Sequence, residues 1–277
     1  LAQASYLLYW HVPDALGHAG LLPALSGLPL FGWKPSGPSL SPILATLYSF
    51  CMAGAFTAWV LLLRDLSRRP GSAMDRRAVF CGAALFSITL VLVPGMLSKD
   101  LFDYMGHGRV LVHYGANPFV TPASAFVPDA FTQAMGWADA TPLYGPAWAS
   151  MVAALTLAGA GSLTGTAILF KLFFAGVHLA NGWLVMRIAD GWRPLAGNAV
   201  PGSPTMPLRA AAFYLWNPLV LTQTIADGRN DGVAILWLLL GVLLLQRADH
   251  AMGIACAAMS VLVKYVTAPA LILILVW

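Results

Sequence analysis

The chain has no glutamate. All eleven of its acidic residues are aspartate, and charged residues fill only 9% of its 277 positions. With 59% hydrophobic residues and a mean hydropathy of +0.74, the composition lies outside that of soluble domains. Cysteine is scarce: Cys51, Cys81 and Cys256 lie in or beside apolar spans at unrelated spacings. That excludes a disulfide framework or cysteine metal centre, and the three read as buried small hydrophobes. No HExxH, CxxC or GxSxG occurs, so the signatures of zinc proteases, dithiol redox proteins and serine hydrolases are missing. The glycine-rich string at 159–165 lacks the preceding strand and the Lys-Ser/Thr pair of a phosphate loop. Period-two alternation and solenoid repeats are absent as well.

Long apolar runs are abundant. Several approach the roughly 20 residues needed to cross a hydrocarbon core of about 30 Å. The expected class is an all-α, polytopic transmembrane helical protein with one transmembrane domain over residues 1–277. The chain starts at Leu1 and stops at Trp277 inside an apolar run, so it reads as a fragment of a longer protein. Residues 1–41 carry no clean span, and no cleavable signal is evident.

Charge orients the spans. Pro42–Leu63 is a span, and the loop after it, from Arg64 to Arg77, holds five arginines against two aspartates. Such a loop belongs on the cytoplasmic side. Ala78–Met96 then crosses outward, which puts residues 97–146 outside. Next come two apolar stretches, Ala147–Gly161 and Thr166–Ile188. Arg187, Arg193 and Arg209 surround the following loop with Asp190 opposing, so that loop belongs inside. One crossing satisfies this, and Ala147–Gly161, short and rich in alanine and glycine, is expected to lie along the outer interface. Two full crossings are the alternative. From Arg209 the chain rises to an outer turn at 226–231 (ADGRND), descends through Val233–Gln246, and rises again over 251–263 to Lys264.

Four of the rare carboxylates, Asp100, Asp103, Asp129 and Asp139, fall within residues 97–161, the expected extracytoplasmic loop with interfacial helices. Carboxylates gathered beside a membrane point to chemistry there. Ser98 is a fair N-cap, and Gly115 with Asn117-Pro118 is a stop. A helix between them brings Asp100, Asp103, Tyr104 and His107 to one face at i, i+3, i+4 and i+7. Gly106 and Gly108 weaken that helix and leave room for a ligand or another backbone. An acid in the first turn stays ionised near the positive end of the dipole and can take a proton from a hydroxyl. The plainer reading makes Asp100 a first-turn stabiliser and pairs Asp103 with Lys99. Arg109, Arg229 and Lys264 are candidate phosphate binders. Lys264 interrupts an apolar run, so it faces a cavity or snorkels to headgroups. His178 reads as a hydrogen-bonded core residue.

The order of these motifs resembles the GT-C superfamily of polytopic glycosyltransferases. More closely it is similar to the polyprenol-phosphate-mannose-dependent α-mannosyltransferases of bacterial envelopes. Ser98, Asp100, Tyr104, Gly108 and Arg109 match the block after an outward span, followed by Gly115, Asn117 and Pro118. Tyr144-Gly145-Pro146, Asn217-Pro218-Leu219, Gly228-Asn230-Asp231 and Lys264-Tyr265 match the later blocks, from about Ser98 to Pro269. Arg229 stands where that family commonly has histidine.

The resemblance implies an inverting transfer of a sugar, mannose by analogy, from a polyprenyl-phosphate donor to an envelope glycan or lipid hydroxyl. Asp100 would be the general base. Arg109, Arg229 and Lys264 would stabilise the leaving phosphate. Asp103, Tyr104, His107, Asn117, Tyr144, Asn217, Asn230 and Asp231 would bind substrate or orient loops. It implies no nucleotide cofactor and no nucleic-acid partner, and a multi-pass protein of the bacterial plasma membrane with its active site outside. Some GT-C enzymes use a divalent metal with two acids, which is the alternative to the metal-independent chemistry that the resemblance to phosphomannose users implies. A lipid-carrier flippase or transporter is the rival reading. It would share the cations but needs no base in the loop, and transporters often show two related halves, which are not visible here.

Overall fold

The computed structural model describes residues 2–9, 40–68, 72–92, 98–191 and 206–276. Among these residues every regular element is helical. Two helices are long and apolar enough to cross a membrane, Thr46–Arg68 and Leu163–Asp190. A third candidate is the pair Pro218–Ala226 and Asp231–Gln246, which meet at a bend of 116°.

The short α1 (Ala2–Tyr9) lies where no clean span was expected. It seats Tyr6 against Phe86 with ring centroids 5.1 Å apart, and Gln3 donates to Thr89 Oγ1 at 2.7 Å. Helix α2 (Leu40–Arg68) contains the first expected span. Helix α3 (Ala73–Val91) starts at a capping box, in which the Ser72 hydroxyl accepts the Asp75 N–H and Asp75 accepts the Ser72 N–H. Asp75, Arg76 and Arg77 occupy its first turns, and the residues from Ala78 to Val91 cover the first part of the expected crossing. The end of that expected span, and part of the expected inner loops, fall outside the described residues.

Helix α4 (Asp100–Val112) follows the expected helix closely and ends at His113, with Gly115 in the left-handed region at φ +63°. Its N-cap is Lys99 rather than Ser98. The Ser98 hydroxyl instead accepts the Asp100 N–H at 3.1 Å. After a 3₁₀ turn at Ala123–Phe126 and α5 (Ala130–Ala134), α6 (Pro146–Ala158) replaces the apolar stretch expected at 147–161. Its 13 residues span about 20 Å, short of a crossing.

Helix α7 (Leu163–Asp190) is the long central helix. The single rise expected after Arg209 is three pieces: α8 (Met206–Leu215), α9 (Pro218–Leu221) and a π-helical turn at Thr222–Ala226. Pro218 has no N–H to continue the ladder, and the Asn217 side chain caps the restart by accepting from Leu219 and Val220. Helices α10 (Asp231–Gln246) and α11 (His250–Val263) form an antiparallel pair, and α12 (Ala268–Val276) closes the chain after a 3₁₀ turn.

One core matters for the site. Leu101, Tyr104 and Met105 of α4 pack with Trp148 and Val152 of α6, Phe170 and Phe174 of α7, Val233 of α10 and Val263 of α11. Residues of five helices therefore share one apolar core beneath the face of α4. His178 is fully buried, donates from Nε2 to the Leu215 carbonyl at 3.1 Å and stacks on Tyr214, as a core histidine should. The cysteine expectation needs one correction: Cys51 and Cys256 are buried, but Cys81 is exposed. An apolar helix facing lipid keeps hydrophobic residues outward, so burial does not follow from hydrophobic surroundings.

Candidate active site

The face expected on α4 exists. Asp100, Asp103, Tyr104 and His107 line one wall of a cleft of about 600 Å³, and the strap from Trp137 to Tyr144 forms the other. Helical spacing puts the four side chains in register. The glycines between them serve a different purpose from the expected one. A Cβ at Gly106 would strike the Met135 sulfur, and one at Gly108 would strike Thr156 and Val152 of α6. They admit neighbouring side chains, not a ligand.

The two acids of α4 have distinct environments. Asp103 is buried, and its Oδ1 accepts the N–H groups of Gly136 at 2.8 Å and Trp137 at 3.0 Å. It is committed to these backbone groups, in place of the pairing with Lys99 considered above. Burial pushes its carboxyl above the usual range, and the two N–H donors pull partly back. Asp100 keeps 30% of its side chain exposed, with the Arg229 Nε 3.9 Å from Oδ2. Its carboxylate stays open to the cleft.

Tyr104 is buried, donates to the Tyr144 hydroxyl at 3.3 Å and meets the Tyr144 and Trp148 rings edge-on. Burial holds its pKa well above the ordinary value, and the Asn230 backbone offsets a part of that. His107 faces the Ala140 carbonyl at 3.3 Å from Nε2. A carbonyl only accepts, so Nε2 carries the proton and Nδ1 is left as an acceptor when the ring is neutral. Burial lowers the His107 pKa, and the Ala140 contact and Asp103 offset part of that.

The turn after the π-helix comes to the same place. Gly228 takes φ +70°, which a side chain would strain, and so turns the chain to bring Arg229 to Asp100. Asn230 is fully buried, and neither polar atom of its side chain has a hydrogen-bond partner. Asp231 accepts from Lys264 Nζ at 2.7 Å, and that ammonium lies 5.7 Å from the Tyr144 ring centroid. Gly145 donates to the Val263 carbonyl at 3.2 Å, and its missing Cβ would collide with the Leu262 carbonyl. The start of α6 is thus fixed against the end of α11.

Three expected site residues do other work. Arg109 lies nine residues beyond Asp100, about two and a half helical turns on, and so points away from it. Its Nε donates to Asp129 at 3.0 Å and its guanidinium lies over the Phe131 ring. Burial would raise the Asp129 carboxyl, but the Phe131 N–H, Arg109 and Tyr114 outweigh it and hold it below the usual range. Asn117 accepts the Phe119 N–H and shapes the turn after α4. Asn217 is the cap of α9 described above. Conversely, the sequence reading passed over Trp137 and Asp139 as cleft residues. The available signal was a tryptophan in a polar, small-residue loop. Among the described residues no group of three or more His, Cys, Asp or Glu is placed to hold a metal ion.

Helices of membrane length and a cleft of acids and tyrosines with a cation beside it fit a membrane glycosyltransferase. A comparison with protein families narrows the class: the model for alpha-(1->6)-mannopyranosyltransferase, N-terminal domain, matches residues 15–277, and the chain belongs to that family. Neither the curated proteins nor the solved structures give a match.

Proposed function

We propose that this protein is a GT-C-type transferase that moves mannose from a polyprenyl-phosphate donor to a glycan or lipid hydroxyl outside the plasma membrane. The family supplies mannosyl transfer. The observation that carries the rest is the division of labour on α4: Asp103 is spent on backbone N–H groups, whereas Asp100 opens to the cleft with a cation beside it.

In this reading Asp100 takes the proton from the acceptor hydroxyl as its oxygen attacks C1 of the sugar. The bond from C1 to the phosphate oxygen breaks on the opposite side, inverting the anomeric centre. Arg229 and Lys264 stabilise the negative charge left on the phosphate. Tyr144 contributes a hydrogen-bonding group near the reacting centre, Asp231 holds Lys264, and the buried Asn230 lies behind Arg229 in the same turn. Arg109 is assigned to holding the loop through Asp129. The charge of the arginine-rich loop between α2 and α3 supports a cytoplasmic place for that loop, and with it a cleft outside and α6 along the outer interface.

The test compares wild type with Asp100→Asn in lipid, using radiolabelled polyprenyl-phosphate-mannose and an envelope glycan acceptor. Label transfer by wild type alone is expected. Equal transfer by both would remove Asp100 from the mechanism. No transfer by either, with the donor lipid still bound, would move the reading toward another donor sugar or a lipid transporter.

A further inference from the structure

Trp137 is 70% exposed although it lines the cleft. An indole left in the open gains nothing from burial, and the backbone that carries this one is tied at several points. Its own N–H and that of Gly136 are fixed on Asp103. Its carbonyl accepts the Ala140 N–H at 3.0 Å. The Ala140 carbonyl in turn is met by His107. Three backbone ties within a few residues fix the segment that brings this aromatic plate to a cleft lined by carboxylates, hydroxyls and an imidazole as well as by Ala140, Pro142 and Leu143. The exposed Asp139 sits inside the same turn and lines the same cleft.

Such a plate suits a sugar ring. One face of a pyranose presents C–H groups made slightly positive by the neighbouring oxygens, and the face of an indole is slightly negative. The ring's edge carries hydroxyls that carboxylates and a neutral imidazole can bind.

Position separates this place from the donor. Arg229 lies at the Asp100 end of α4, where the leaving phosphate belongs. His107, with Ala140 against it, lies seven residues further, about 10 Å along the helix. We propose that Trp137 and Asp139 form the acceptor subsite: the terminal hexose of a glycan stacks on the Trp137 indole while Asp139 and His107 bind its hydroxyls. The inference rests on the transferase reading above. It adds which side chains hold the acceptor's terminal sugar.

The experiment has two arms, both with the full chain in lipid. In the first, transfer is measured with donor saturating and a short linear α-(1→6)-linked manno-oligosaccharide varied, for wild type, Trp137→Ala, Trp137→Phe and Asp139→Asn. Trp137→Ala is expected to raise the acceptor KM about tenfold with donor KM unchanged, and Trp137→Phe to recover most of the loss. A shift in donor KM alone, or no shift in acceptor KM, overturns the subsite. The second arm measures oligosaccharide binding directly and needs no turnover. Binding by wild type that Trp137→Ala weakens supports the subsite even if transfer is never seen. Equal binding by both, or none by wild type, overturns it.

Discussion

The carboxylate of Asp103 holds the backbone of Trp137: Oδ1 accepts its N–H at 3.0 Å and that of Gly136 at 2.8 Å. One buried acid thus ties helix α4 to the strap that forms the far wall of the cleft. Asp103→Ala leaves two donors without a partner, at about 1–3 kcal/mol each. Asp103→Asn keeps an oxygen for both. The alanine variant is expected to unfold at a lower temperature and lose turnover, with the asparagine variant nearer wild type. Thermal unfolding in detergent with matched transfer assays checks this, and equal behaviour of the two variants would refute it.

His107 supplies a pH dependence of known sign. Its pKa in the folded protein lies below the ordinary value of 6.5, chiefly through burial. The unfolded chain therefore binds the proton more readily. The stability tied to neutral His107 is present above about pH 6.5 and is lost as pH falls from there toward the folded value. Wild type is expected to lose stability on acidification below that point more steeply than His107→Gln. Parallel pH profiles for the two would show that His107 contributes nothing.

Arg109 and Lys264, both read from sequence as phosphate binders, are expected to fail differently. Arg109→Met removes a charged hydrogen bond to the well-shielded Asp129 and should cost about 1.5–3 kcal/mol of stability, with donor KM little changed. Lys264→Met breaks a pair that is 25% and 50% exposed, so stability should move by less than about 1 kcal/mol while donor KM rises. Measuring midpoint and donor KM for both variants separates the roles. A rise in donor KM for Arg109→Met alone would reverse the assignment.

Gly145→Ala should destabilise the protein by about 1–3 kcal/mol, because the new methyl meets the Leu262 main chain, which cannot rotate away. At this chain length that is a fall of about 2–4 °C in midpoint per kcal/mol. Gly176, whose Cβ would meet nothing, is the control position.

Much of this site was legible in the chain itself, wherever local periodicity carries the information. The face formed by Asp100, Asp103, Tyr104 and His107 follows from 3.6-residue spacing, and the same arithmetic turns Arg109 away from Asp100. The convergence of the 226–231 turn with Lys264 followed from loop charge and span parity. The missed features depend on contacts between distant segments. Spacing alone does not separate Asp103 from Asp100; the resemblance chose Asp100, and the use of Asp103 by Gly136 and Trp137 is visible only in the fold. Asn117 and Asn217 look like ligands in a motif, but each is a turn or cap residue satisfied within three positions of itself. The break at Pro218 was readable from proline, yet the hydropathy of the stretch masked it.

The contact of Gly145 with Leu262 and Val263 gives the cleft one end of fixed gauge. Tyr144 and Lys264 each adjoin that main-chain joint, so the backbone positions from which phenol and ammonium extend are fixed, and Asp231 then holds the ammonium. The opposite end hangs on a carboxylate and can be re-hung. A protein engineer who wants the cleft to admit a bulkier or longer substrate should therefore rebuild the strap from Gly136 to Thr141 and leave the joint alone.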